Sequence, residues 1–455
     1  MRRSQIYFLV FSLGVLAYFY YIVELGGYES FSIGLLIFFL FDFLDNLGKR
    51  VVVLDIAVIL AIFTWLIMPV IFYQFYTKAD HVARIFHKYM PIPAEEYFSF
   101  AVPGTVLMIL GFKIPLLRLQ INSRPDLFKV KLEAYFKGKD WIGFLLIGIS
   151  LVSGFLYPFV PSTLERVVGL LERLSYVGVF YIFFSGNKHK GKILLGVTGL
   201  LLATSISTGM FGELVFLMAL FYILIALYLK RRTFFYKLGI LVLGVFAIFL
   251  IQNVKSAYRL KAWKTGSDAS YFGELVLNSL EDPSAMFQKK SLFHVSIRMN
   301  QGWLIATTMD RVPKRYDYAN GETIALSVAA AFIPRVFWPD KPEAGGKYNL
   351  KRFWGYDLVG YSMNIGPIGE AYANFGVRGG IFFMFFYGLF FNMVLTWLLK
   401  RSESSPSVLC WIPFLFSYAV VVETDILTTV GSIVTSLMFM LLFGWLFKAI
   451  FKVKL

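Results

Sequence analysis

Side chains able to bind an anion are concentrated in one polar stretch, residues 331–379, of an otherwise apolar chain. This stretch combines basic residues, Trp and Tyr rings, Gly and Pro turns and isolated carboxylates. A planar guanidinium such as that of Arg335 can hold phosphate or carboxylate oxygens in a bidentate clamp. Aromatic rings offer a flat apolar surface to the face of a sugar. These residue types predict a site for a charged, sugar-like ligand.

The candidate site residues lie in this stretch and in the polar sequence before it. His294 and Arg298 are four residues apart and share one face if their segment is helical. Arg335 lies in IPRVFWPDKP, a segment stiffened by three prolines, and Glu370 lies in GEAYANFG. Candidates for catalysis are Arg335, Glu370 and His294. Candidates for ligand binding are Arg173, Arg259, Arg298, Trp338, Asp340, Lys341, Gly346, Lys351, Arg352, Tyr372 and Asn374.

Each candidate also has a structural interpretation. In that interpretation Arg335 pairs with Asp340, Arg259 anchors at the headgroup belt, and His294 is an ordinary loop histidine. Trp and Tyr are common at membrane interfaces. We favour a functional role for Arg335 and Glu370, because a charge beside the start of a span is unfavourable without a purpose. For the other candidates the structural interpretation is preferred.

Metal and nucleotide motifs are missing from the sequence. The four His residues show no HExxH or paired spacing, and one Cys cannot build a zinc cluster. A cation site made of Asp and Glu alone has no signature to find. No phosphate-binding loop or dinucleotide fingerprint occurs in a credible strand–helix context. The sequence therefore predicts no metal and no cofactor.

The elements that must position the candidates are membrane spans. The 455 residues are 58% hydrophobic and 16% charged, against about a quarter charged in soluble domains. Apolar runs long enough to cross a roughly 30 Å hydrocarbon core recur along the chain. We predict an all-α polytopic membrane protein, a single integral membrane domain over residues 1–455. Its twelve predicted spans are about 6–25, 29–46, 51–75, 97–112, 141–160, 168–186, 193–208, 210–229, 234–252, 379–400, 406–425 and 427–449.

The distribution of Lys and Arg predicts the orientation of these spans. Roughly half of the 44 basic residues fall at the two termini and in the alternate loops that share their side. Both termini are therefore predicted to be cytoplasmic, and much of the net charge of +16 is topological rather than a sign of nucleic-acid binding. Glu172 and Arg173 either lie inside the sixth span, facing a cavity or each other, or mark its outer end.

The long segment 253–378 is then predicted to lie outside the cytoplasm and to carry the active site. It contains sixteen Lys and Arg residues, and long translocated loops are exempt from the charge rule. Its many aromatic residues and short apolar runs are not typical of a disordered linker. The run 322–333, ETIALSVAAAFI, is too short to span a membrane and predicts a re-entrant or interface-lying helix.

The chain resembles the bacterial Wzy-type O-antigen polymerases, which polymerise oligosaccharide repeat units. The resemblance is carried by the segments FIPRVFWPDKP and GPIGEAYANFGVRGG and by the predicted topology. That family has about twelve spans and a large late periplasmic loop with functional arginines. Its pattern of Arg, ten residues and Gly fits Arg335 and Gly346. The resemblance covers about 331–380 and the order of spans, and the sequence shows no second segment of this kind.

The resemblance implies a GT-C-like fold in the bacterial inner membrane and a substrate linked to undecaprenyl diphosphate. The growing glycan would move to a sugar hydroxyl of the next lipid-linked unit. Arg335, assisted by Arg259 or by Lys351 and Arg352, would stabilise the departing diphosphate. Glu370 is the first choice and His294 the second for taking the acceptor proton. A chain-length regulator protein is a possible further partner.

Two alternatives stay open. An O-antigen ligase would transfer the glycan to a lipid A core and would also use a large outer loop with arginines. A flippase or exporter would perform no catalysis and should place its charges along the spans. The charges of this chain are concentrated in one loop instead, which favours an enzyme.

Overall fold

The computed structural model describes residues 3–117, 125–161, 164–209, 211–228, 233–266, 268–333, 337–359 and 362–453. Within these ranges the regular structure is helical and contains no strand, so the all-α prediction is confirmed. In chain order the α-helices are α1 (Arg3–Tyr21), α2 (Gly27–Asn46), α3 (Val53–Phe75, with a π-helical centre at Ile62–Ile67), α4 (His81–Ile85), α5 (Ala94–Lys113), α6 (Pro125–Phe136), α7 (Asp140–Leu156), α8 (Glu165–Glu172), α9 (Leu174–Phe184), α10 (Lys190–Thr208), α11 (Gly212–Tyr228), α12 (Phe234–Thr265), α13 (Ala269–Glu281), α14 (Pro283–Met286), α15 (Lys289–Met299), α16 (Gln301–Arg311), α17 (Glu322–Phe332), α18 (Lys347–Trp354), α19 (Gly366–Ser402), α20 (Ile412–Phe416) and α21 (Ile426–Phe451).

Nine helical segments of the described ranges are long and apolar enough to cross a membrane, as expected for a polytopic membrane protein. Many of their apolar side chains, such as those of Tyr7 and Leu243, are exposed on the surface of the chain. A lipid environment would cover them. The nine segments are Ser4–Tyr21, Gly27–Asn46, Val53–Phe75, Asp140–Phe159, Glu165–Phe184, Lys190–Ser207, Phe234–Lys255, Gly366–Ser402 and Ile426–Phe451.

The other three predicted spans correspond to different structures. Residues 97–112 lie in α5, a 20-residue helix, and residues 210–229 cover the 17-residue helix α11. The predicted span 406–425 is not one helix: a 3₁₀-helix over Pro406–Trp411 leads into α20, which ends at Phe416. All of α20 is buried in the protein, where irregular backbone avoids contact with lipid.

Helices α5 and α19 pack closely because glycines line their contact. A Cβ atom at Gly388 would lie 2.2 Å from the carbonyl oxygen of Met108, and one at Gly111 would lie 2.4 Å from that of Phe385. Small residues let helix backbones approach in this way inside membranes. Asn392 adds two hydrogen bonds, from Nδ2 to the carbonyl oxygens of Gly111 (3.0 Å) and Ile114 (2.8 Å).

Two basic residues of the predicted cytoplasmic side belong to a buried ionic network. Arg50 Nη2 lies 3.0 Å from Asp55 Oδ1 and 3.6 Å from Asp42 Oδ2. Lys113 Nζ pairs with the same two carboxylates. Asp42 and Asp55 are nearly inaccessible to solvent. The network joins the ends of α2, α3 and α5, and removing either cation would leave two buried carboxylates facing a single positive charge.

The described parts of 253–378 are largely helical, and we call the side of the molecule on which residues 268–359 lie the loop side. Helix α12 continues beyond its apolar part to Thr265, and α13 to α18 follow. The helix predicted over 322–333 is confirmed as α17, which packs along α21. Helix α19 begins at Gly366, earlier than the predicted span at 379, and is kinked at Gly376. Its polar first turns are tolerated because they are buried in protein rather than lipid.

Candidate functional site

The first turns of α19 carry two fully buried candidates, Glu370 and Asn374. Asn374 Nδ2 donates to Thr323 Oγ1 (2.7 Å) and to the carbonyl oxygen of Glu370 (2.8 Å). Its Oδ1 accepts a hydrogen bond from the backbone N–H of Gly321 at 3.1 Å. The amide of Asn374 therefore uses both ends to hold the start of α17 against α19.

Glu370 and Gly346 meet at the start of α21. Glu370 Oε1 accepts a hydrogen bond from the Ile426 N–H (2.7 Å), while its buried Oε2 has no hydrogen-bond partner in the described ranges. Asp425 caps α21 through Oδ1, which accepts from the Thr428 N–H (2.8 Å). Its Oδ2 accepts from the Gly346 N–H (2.8 Å). The structure thus brings together two predicted residues and one, Asp425, that the sequence analysis did not name.

Other candidates of the 331–379 stretch make local contacts. Lys341 Nζ donates to the carbonyl oxygens of Ala330 (2.8 Å) and Ile333 (3.0 Å), which end α17. Tyr372 donates its hydroxyl to the carbonyl oxygen of Val312 (3.1 Å), and its ring packs edge-on against Phe100. These contacts stabilise the loop side.

The remaining residues of the stretch are more accessible. Trp338 is partly buried and Asp340 is exposed. Lys351 pairs with Asp357 (2.9 Å), and both side chains are largely exposed. Arg352 lies 4.0 Å from Glu322. Arg335, the principal sequence candidate, lies outside the described ranges together with Pro334 and Val336.

Arg173 lies at the break between α8 and α9, partly buried. Its Nη2 atom donates to the Tyr418 hydroxyl at 2.9 Å, and its guanidinium lies over the Tyr418 ring. Tyr418 belongs to the connection 417–425 between α20 and α21. Arg173 therefore reaches the segment that presents the next group of charges, but not the residues of 331–379.

Three cations, Lys255, Arg259 and Arg298, form what we call the cationic cluster. Lys255 ends the apolar part of α12 and is only 7% exposed. Arg259 lies one turn further and donates through Nε to the carbonyl oxygen of Gly209 (2.8 Å). Partial burial and the charge of Arg298 together lower the pKa of Arg259. Two guanidinium groups thus lie close enough to repel each other, and an anion between them would relieve that repulsion.

Glu423 is a carboxylate that faces two residues of the cationic cluster, Arg298 and Lys255. It lies in the connection 417–425, outside the helices that can span a membrane, and is partly exposed. Burial raises the pKa of Glu423 to about 7, against the opposing charges of Arg298 and Lys255 and a hydrogen bond from Gln301. Within the described ranges, no Lys or Arg side chain lies within ion-pair distance of Glu423. Glu423 therefore faces Lys255 and Arg298 without a close ion pair in the described ranges.

The sequence analysis missed Glu423, Asp425 and Lys255, although a signal existed. Glu423 and Asp425 are the charged residues between Glu403 and Lys448 in a long apolar region. Carboxylates in such surroundings are functional candidates by default. His294, by contrast, is exposed on α15 with its ring 5.0 Å from that of Phe86.

The cationic cluster can bind a multiply charged anion, and Glu423 can exchange a proton near neutral pH. In the described ranges no group of three or more His, Cys, Asp or Glu side chains forms a candidate metal site.

Comparison with known proteins gives one result. A family model described as Domain of unknown function (DUF8712) matches residues 127–404, which include the cationic cluster and Glu370 but end before Glu423. No curated protein matches the chain, and no solved structure matches it.

Proposed function

The chain belongs to the family described as Domain of unknown function (DUF8712), and we propose that it is a membrane glycosyltransferase that polymerises lipid-linked oligosaccharide repeat units. The growing glycan moves from undecaprenyl diphosphate to a sugar hydroxyl of the next lipid-linked unit, yielding O-antigen or a related surface polysaccharide. In this proposal the enzyme has a GT-C-like fold in the bacterial inner membrane. Both termini are cytoplasmic, and the loop side faces the periplasm.

The cationic cluster is the observation that supports this proposal. Lys255 is a buried cation at the end of an apolar helix segment. In this proposal that end of the helix meets the diphosphate of the membrane-anchored donor. Arg259 and Arg298 add two guanidinium groups on the same side. Three cations match the charge of a diphosphate, while the polyprenyl tail stays among the spans. A soluble anion would not require the cations to lie at the end of a membrane helix.

The cations act on the leaving group. As the bond between the anomeric carbon and the diphosphate oxygen breaks, negative charge grows on the diphosphate. Fixed cations at a partly dehydrated site stabilise this charge more in the transition state than in the ground state. Arg335, with Lys351 and Arg352, is proposed to take part in the same stabilisation. The donor is already activated, so a nucleotide is not needed.

The test is polymer synthesis by purified protein supplied with undecaprenyl-diphosphate-linked repeat units. We expect Arg298→Ala to lower kcat/KM by about 10- to 100-fold, the loss of one charged hydrogen bond of roughly 1.5–3 kcal/mol. Lys314→Ala is the matched control, because Lys314 is an exposed loop-side cation paired with Asp310. If Arg298→Ala is as active as wild type, the cationic cluster does not stabilise the leaving group.

A deletion strain distinguishes the alternatives. Single repeat units attached to the lipid core, without polymer, support a polymerase. Free polymer without attachment would indicate a ligase instead. Repeat units retained on the cytoplasmic side would indicate a flippase.

We also expect the purified enzyme to work in EDTA, because cations of the protein stabilise the leaving group. Polymer yield with and without the chelator is the measurement. Activity that disappears in EDTA and returns with a divalent ion would show that a metal ion stabilises the leaving group.

A further inference from the structure

We infer that Glu423 is the general base of the reaction, the group that accepts the proton of the attacking acceptor hydroxyl. This assignment rests on the proposed glycosyl transfer and adds a catalytic residue to it. Glu423 lies in the connection that leads into α21, with Lys255 of α12, Arg298 of α15 and Gln301 of α16 facing it. In this assignment the acceptor hydroxyl attacks the anomeric carbon beside the diphosphate that Lys255 and Arg298 hold.

The three carboxylates at the start of α21 differ in availability. Both oxygens of Asp425 accept backbone hydrogen bonds, from Thr428 and Gly346. Glu370 is fully buried, and one of its oxygens is held by the Ile426 N–H. Glu423 is partly exposed and has no ion-pair partner within the described ranges. Of the three, Glu423 is therefore the one that we assign to the acceptor hydroxyl.

Two buried side chains, those of Gln301 and Lys255, lie beside Glu423. Gln301 is largely buried and makes a side-chain hydrogen bond to Glu423. Lys255 is buried and forms no ion pair within the described ranges. The site therefore places the carboxylate of Glu423 beside a buried cation and a hydrogen-bond donor.

The chemical step is a substitution at the anomeric carbon of the donor glycan. The acceptor oxygen forms a bond to the anomeric carbon of the donor glycan, and the bond from that carbon to the diphosphate oxygen breaks. The electron pair leaves with undecaprenyl diphosphate, which the cationic cluster holds. The hydroxyl proton moves to the carboxylate of Glu423 and then to solvent. A base with a pKa of about 7 is suited to this transfer at neutral pH.

The experiment compares kcat/KM against pH for wild type, Glu423→Gln and Glu423→Asp, using the full-length protein and lipid-linked repeat units. Wild type should gain activity as pH rises through about 7, since the deprotonated carboxylate is the active form. Glu423→Gln should lose about 10²–10⁴-fold and lose this inflection. It should bind undecaprenyl diphosphate at least as tightly as wild type, because one negative charge beside the anion is gone. Glu274→Gln, on the exposed surface of α13, is the control.

The outcomes separate this assignment from the proposed function. Polymer synthesis by Glu423→Gln with the wild-type rate and pH profile would overturn the base while leaving the polymerase intact. No polymer from well-folded wild type would overturn both. If Glu423→Gln does not accumulate, Glu423→Asp decides: it retains a carboxylate, so reduced activity with a shifted inflection supports the base, and an unchanged profile overturns it.

Discussion

Arg335 is the residue whose chemistry the sequence describes best. It lies between the end of α17 and Lys341, whose ammonium group binds the carbonyl oxygen of Ile333 at 3.0 Å. Three prolines restrict the backbone of the same segment.

We predict that Arg335→Ala is nearly inactive, with a loss of about 10²–10³ in rate, while the protein still inserts and folds. Arg335→Lys should be partly active, since it keeps the charge but loses the bidentate fork. Polymer synthesis in a complemented deletion strain, with protein level and melting in detergent as controls, is the measurement. Full-length polymer from well-expressed Arg335→Ala would make the residue a structural partner of Asp340.

Glu423 gives a second prediction, on stability. Its pKa is about 7 in the folded protein and near 4.5 when unfolded, so folding loses stability as pH rises through this window. Glu423→Gln removes the titration. We expect its Tm to exceed that of wild type by a few °C at pH 8, and the two to converge below pH 4.5. A Tm difference that does not change between these pH values would show that Glu423 is not perturbed.

At the scale of elements, the start of α21 organises the loop side. Its cap, Asp425, binds Gly346, and its first N–H groups bind Asp425 and Glu370. Gly346 has φ +79°, and a Cβ atom there would lie 2.0 Å from the carbonyl oxygen of Met363. Helices α18, α19 and α21 are thus joined at one point that tolerates no side chain at residue 346.

We therefore predict that Gly346→Ala is destabilising by more than the roughly 1–2 kcal/mol of left-handed backbone alone. The measurement is the melting temperature of the purified protein in detergent, with polymer synthesis alongside. Gly431→Ala is the control, because Gly431 lies in α21 with open space around it. A Gly346→Ala variant that melts with wild type would show that the segment can move away.

At the scale of the whole molecule, the two ends of the spans differ in how they use charge. Toward the predicted cytoplasmic side, Arg50 and Lys113 are neutralised by Asp42 and Asp55. On the loop side, Lys255 and Arg298 face Glu423 without forming an ion pair with it in the described ranges. The paired charges hold helices together, whereas the open charges are available to a ligand.

The predicted orientation can be tested by cysteine labelling in a Cys410→Ser background. Cys410 is buried, so its removal leaves the surface unchanged. Ala344→Cys, at an exposed loop-side position, should react with a membrane-impermeant reagent added outside the cytoplasmic membrane. Lys188→Cys, also exposed, should react only after permeabilisation. The reverse pattern would invert the topology and place the cationic cluster in the cytoplasm.

The sequence alone determined the helical class, most span positions and the short helix at 322–333. Each depends on local properties, the length of an apolar run and the residues that interrupt it. The same reasoning began the predicted span at 379, whereas α19 begins at Gly366 and includes Glu370 and Asn374. They are buried by neighbouring helices, and that cover comes from parts of the chain far away in sequence.

Only the tertiary structure decided which charges meet. Lys255, Arg298 and Glu423 lie on three separate elements, and no local pattern in the sequence couples them. The same holds for Gly346, Glu370 and Asp425, which are joined by hydrogen bonds between loop and helix ends. Packing sets the burial, the pairing and the pKa of a side chain, so the sequence could supply candidate residues but not their partners.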